Sequence, residues 1–76
     1  MHVDYDIIFL DDGIMFLNKD EFANLKICSL IHEFIKDSGI NLVFREECLL
    51  VKSKNISDIW NLLKYISNKG IYLRII

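Results

Sequence analysis

Cys28 and His32 stand four residues apart in a stretch of helical periodicity, so one helix face could bring them together on a metal ion or pair a thiol with a base. A zinc site needs three or four ligands, and no second Cys/His pair exists; His2 is the only other histidine. Cys28 also falls at the edge of an apolar arc, where an unpaired cysteine behaves as a small hydrophobe. Cys48 has only Arg45 as a neighbour able to activate it. Four carboxylates, Asp4, Asp6, Asp11 and Asp12, crowd the N-terminal segment. Their spacing does not follow a calcium-binding loop, and Asp11 and Asp12 suit the turn that Gly13 marks. They read as an acidic patch for a basic partner, or as a charged edge that discourages strand pairing.

The three glycines, Gly13, Gly39 and Gly70, each belong to a turn or a helix end, which leaves none for a phosphate-binding loop. No paired-carboxylate or Ser-His-Asp pattern can be assembled. A chain of 76 residues leaves little room for a deep catalytic pocket. The expectation is a protein that is not an enzyme and uses no metal and no cofactor.

Composition bounds the class. At 53% hydrophobic and 26% charged residues the chain is globular, and it is expected to form one small α+β domain over residues 1–76. So small a domain cannot hide that much apolar surface, which implies that a partner covers some of it. Two cysteines, no signal-peptide pattern and no apolar run of membrane-spanning length point to a cytoplasmic setting without membrane contact. The net charge of −2 hides an asymmetry: residues 1–38 carry eight acids against three lysines, residues 39–76 three acids against six bases. Such a distribution orients an encounter with a partner or a second copy.

The elements that would position these groups follow from periodicity. Tyr5–Leu10 and Ile14–Leu17 flank Asp12-Gly13, a type I′ hairpin signal that sets Leu10 opposite Met15. One hairpin face then holds Tyr5, Ile7, Phe9, Ile14 and Phe16, the other Asp4, Asp6, Ile8, Leu10, Met15 and Leu17. Asn18 is the expected cap of a helix whose apolar arc is Ala23, Ile27, Cys28, Leu30, Ile31, Phe34 and Ile35, with Lys36 and Asp37 on its polar side and Gly39 at C′. Phe22 and Leu25 fall outside the arc. A second hairpin runs Asn41–Arg45 and Cys48–Ser53; Glu46-Glu47 is a poor two-residue turn, so a longer loop is expected. Asn55 or Ser57 caps a second helix with the stripe Ile56, Ile59, Trp60, Leu62, Leu63 and Ile66, with Tyr65 pointing away and Gly70 at C′. Ile71–Ile76 forms the last strand.

The helix-Gly-Ile-strand unit recurs 31 residues apart. Without one N-terminal strand the order is β-α-β-β-α-β, a ferredoxin-like (split βαβ) variant with an extra N-terminal hairpin strand, expected as a mostly antiparallel sheet with two helices on one face. The extra strand has no free edge in the standard order, so either the order is a variant or Asp11–Gly13 is a bulge in one bent strand.

Helices on one face leave the other bare, with Arg45, Leu50, Lys52, Tyr72 and Arg74 among its residues. That mixture of aliphatic, aromatic and basic groups suits a protein contact. The expected function is a protein-binding module, a small regulator, inhibitor or adaptor, using the acidic edge (Asp4, Asp6, Asp11, Asp12) and this open face, with a basic partner surface and a homodimer both anticipated. A nucleic-acid-binding module using Tyr72, Arg45, Lys52 and Arg74 is the first alternative, weakened by the negative net charge and by Cys48-Leu49-Leu50-Val51, which offers no ring for stacking. A ligand-sensing dimer is the second.

Overall fold

The computed structural model describes residues 2–35 and 39–76; Met1 and the segment Lys36, Asp37 and Ser38, where the sequence places the end of the first helix, lie outside the described residues. The order is β1 (Tyr5–Leu10), β2 (Gly13–Leu17), α1 (Glu21–Phe34), β3 (Asn41–Phe44), β4 (Cys48–Lys52), α2 (Ile56–Asn68) and β5 (Leu73–Ile75). The strands form one sheet in the order β3-β4-β2-β1-β5, with antiparallel neighbours except for the parallel pair β1 and β5. The fold is therefore α+β, built on a mixed sheet.

Both hairpins close on a pair of acids. In the first, Leu10 pairs with Gly13 and Ile8 with Met15, so Asp11-Asp12 is the loop and the pairing is shifted by two residues from expectation. Side chains alternate with period two, so the shift leaves every residue on its expected face. No non-glycine residue and no glycine but Gly70 has positive φ among the described residues, which excludes the type I′ turn. Gly13 is needed for a different reason. A Cβ there would lie 1.9 Å from the Val51 carbonyl oxygen of β4, so only glycine lets the strands approach. The second hairpin is also tight, with Arg45 N–H donating to the Cys48 carbonyl at 2.9 Å around Glu46-Glu47, where a longer loop was expected.

The face holding Tyr5, Ile7, Ile14, Phe16, Leu49 and Val51 forms one core with Ile27 and Ile31 of α1 and Ile59, Leu62, Leu63 and Ile66 of α2. α1 lies over β3 and β4, α2 reaches β2, and the helices touch each other. Tyr5 enters this core from the sheet and donates its hydroxyl to the Ala23 carbonyl at 2.6 Å. Asp20, not Asn18, caps α1 by accepting from Phe22 N–H at 2.9 Å. Asn18 instead accepts from Asp20 N–H at 2.8 Å and donates to the Asp4 carbonyl at 2.9 Å, tying the loop to β1. α1 ends at the C-cap Ile35, so Gly39 is not its C′ residue. Of the two expected caps of α2, Asn55 holds the position, and Gly70, at φ 81°, follows the C-cap Lys69. Tyr65 does not point away: it packs on Phe34 with ring centroids 4.8 Å apart and joins the two helices.

Candidate functional site

The pairing defines the face that the helices leave bare. Val43, Leu50, Met15 and Ile8 are level with one another across β3, β4, β2 and β1, and Ile76, just past the end of β5, continues the line. This is an apolar row crossing the whole sheet. Ile8, Met15, Leu17, Val43 and Leu50 are half-buried and stand apart from the apolar residues packed on the core. A second row holds Cys48, Leu17, Asp6 and Arg74, with Arg45 at its β3 end. The third runs Asn41, Lys52, Gly13 and Leu10. Apolar groups thus occupy the middle, and charge is confined to the margins.

Of the residues assigned to partner binding from the sequence, Leu50 alone sits in that central row. Arg45 and Arg74 lie at opposite ends of one margin, and Lys52 lies on the other, so the bases are dispersed. The acids are dispersed too: Asp4 and Asp6 are at the start of β1, and Asp11 and Asp12 follow its far end, a six-residue strand away, or about 20 Å. Most of them are engaged. Arg74 donates to Asp6 from Nε at 2.7 Å and from Nη2 at 3.2 Å, a forked contact. Asp4 accepts from the Tyr72 backbone N–H at 2.8 Å and from His2 at 2.6 Å. The Tyr72 N–H, helped by His2, holds the Asp4 carboxyl below its ordinary value. Lys52 lies 3.8 Å from Asp12. Asp4 and Asp6 therefore fasten β1 to β5, and Tyr72 contributes its backbone to that seam.

Sequence reasoning put Val43 and Ile76 on the open face and Ile8 and Met15 together on one face of the N-terminal hairpin, without joining them into one row. Their alternation with core residues was visible, but which residues line up across strands depends on register and strand order. It also missed a groove of about 480 Å³ between α2 and β5, lined chiefly by Ile7, Trp60, Leu63, Leu73 and Ile75, with Lys64 at its rim. Trp60, expected in the core stripe, is 53% exposed and rests against Phe9 with ring centroids 5.4 Å apart.

Cys28 is half-buried and burial pushes its thiol up, away from the reactive form, while His32 is exposed. Among the described residues no three His, Cys, Asp or Glu side chains gather closely enough to hold a metal ion. No helix among them is long and apolar enough to cross a membrane. No family model, curated protein or solved structure matches the chain.

Proposed function

We propose that this protein is a non-enzymatic protein-binding domain that docks through the bare face of its sheet, and that the occupant of that face is a second copy. The observation that carries the reading is the apolar row Val43, Leu50, Met15, Ile8 and Ile76 on the side away from both helices. A flat apolar surface with charge at its margins suits face-to-face sheet packing. The marginal pairs Asp6–Arg74 and Asp12–Lys52 cancel locally, so two identical faces can meet without net repulsion. The acidic edge enters this reading as a structural device, because Asp4 and Asp6 already have partners within the fold. The dispersal of Arg45, Lys52 and Arg74 weighs against a nucleic-acid track, which needs contiguous positive charge. A role as a regulator or adaptor in the cytoplasm accords with two unpaired cysteines.

The strand order supports a finer reading of the fold. The segment β2-α1-β3-β4-α2-β5 has the connectivity of a split βαβ unit, with β1 interposed between β2 and the last strand.

Light scattering on protein purified at low salt tests the function. The expected mass is twice the 9.0 kDa chain, falling to one chain in the double variant Met15→Glu, Leu50→Glu with an unchanged circular dichroism spectrum. A parent that is monomeric, or that carries nucleic acid by its absorbance ratio at 260 and 280 nm, overturns the reading.

A further inference from the structure

We propose that the outer edge of β5, with the groove between β5 and α2, is a strand-addition site for an extended segment of another protein that is apolar at alternate positions and carries a carboxylate toward Lys64. The backbone leads to it. The Tyr72 carbonyl accepts from Asp4 N–H at 2.8 Å and Tyr5 N–H at 3.3 Å, and Ile76 N–H donates to the Ile7 carbonyl at 2.9 Å. Alternation along the strand therefore turns the N–H and C=O groups of Leu73 and Ile75 away from β1, and β5 is the last strand of the sheet. Such an edge is usually blunted by proline or by charge. This chain has no proline, and the one charge in β5, Arg74, is drawn back onto Asp6.

The two edges differ in what they expose. No residue of β3 is a large exposed hydrophobic, whereas Tyr72 (63% exposed), Ile75 (56%), Ile76 (62%) and Trp60 (53%) are gathered around β5. Beside that edge lies the preformed groove. Ile7, Trp60, Leu63, Leu73 and Ile75 supply its apolar lining, and Phe9 steadies the Trp60 ring. A strand added at an edge gains main-chain hydrogen bonds while its alternate side chains enter the neighbouring groove. Lys64 is four residues after Trp60, on the same face of α2, and forms no ion pair among the described residues. Among the described residues no acid lines the groove, and Asp6, the one acid within β1, belongs to the other face of the sheet and is engaged with Arg74, so the charge left at the rim is positive and complements a carboxylate. A second copy pairing β5 with β5 fits less well, because a three-residue antiparallel match sets Arg74 opposite Arg74.

Trp60 is the only tryptophan, so its emission reports on the groove directly. The probe is the blocked peptide Ser-Val-Thr-Val-Thr-Glu-Ser, which presents two valines and the glutamate on one face, with a control carrying lysine in place of glutamate. The expected result is a saturable blue shift of Trp60 emission below about 1 mM peptide. The lysine control is expected to bind about three- to fivefold more weakly, and Lys64→Glu to invert that preference. In hydrogen exchange the Leu73 and Ile75 amides gain protection while those of Asn41–Phe44 do not. No saturable shift by about 1 mM overturns the proposal. A shift without protection at Leu73 and Ile75, or with protection at β3 instead, also overturns it, as does a Lys64→Glu variant that keeps the parent's preference. Because the groove lies on the helix side of the sheet, Met15→Glu, Leu50→Glu retains peptide binding whatever its effect on mass, and the two readings fail independently.

Discussion

Gly13 and Asn24 show how single residues here answer to neighbours far along the chain. A methyl at Gly13 would meet the Val51 carbonyl oxygen at 1.9 Å, a backbone atom that cannot step aside. Gly13→Ala is expected to cost about 3 kcal/mol in urea unfolding. Gly70→Ala, strained by φ 81° but with nothing within 4 Å of the added methyl, should cost about 1 kcal/mol. Asn24 is fully buried on α1, and its side-chain amide donates to the Asn18 carbonyl at 2.8 Å and the Glu46 carbonyl at 3.1 Å, clamping two loops. Asn24→Asp puts acceptors where those carbonyls need donors, and about 3 kcal/mol of stability should go with it. Asp4 is the titrating counterpart at the surface. Its folded pKa lies below the ordinary 3.8, chiefly through the Tyr72 N–H, so its contribution is full above that value and is lost as pH falls through the lowered one. Melting temperatures of Asp4→Asn should therefore fall less steeply than the parent's below about pH 4, by a small margin because the group is near solvent. A melting curve that steepens instead would contradict the assignment.

Among the elements, the helices were the most legible. The arc Ala23, Ile27, Cys28, Leu30, Ile31, Phe34 and Ile35 of α1 packs on the core as its spacing predicts, and Phe22 (80% exposed) and Leu25 (44%) stay outside it. The cap of α2 was visible as Asn55 or Ser57, of which Asn55 holds the position, and Asn55→Ala should lower stability by about 1 kcal/mol. The cap of α1 was not, because both Asn18 and Asp20 have capping chemistry and the choice depends on the Asp4 carbonyl that Asn18 binds from β1. Strand faces were readable for the same reason that the first hairpin's register was not. Period two determines a face from parity alone, whereas register depends on where the turn closes, and here that is settled by the close passage of β4 over Gly13.

At the scale of the whole molecule, β1 is the strand that joins the two ends of the chain, with Tyr5 level with Leu73 and Asp6 with Arg74, 68 residues apart. Contacts of such separation close late and at high entropic cost, so β5 is expected to be the least protected strand in hydrogen exchange. Removing residues 73–76 should expose Ile7 and the β1 edge and leave a chain that melts well below the parent or fails to fold; a truncated chain as stable as the parent would show that β5 contributes nothing to the core. Alternation and helical spacing, which are local, determined by themselves the element types, the faces and most of the core. The sequence also placed the bare face opposite the helices, since right-handed crossovers leave little choice. Only the tertiary structure decided that β1 lies between β2 and β5, that Asp4 and Asp6 are engaged in a seam with β5, and that apolar side chains of five strand columns align into one row. Those outcomes depend on which strand ends beside which, and strand pairing is a contest among non-local contacts that no window of the sequence contains.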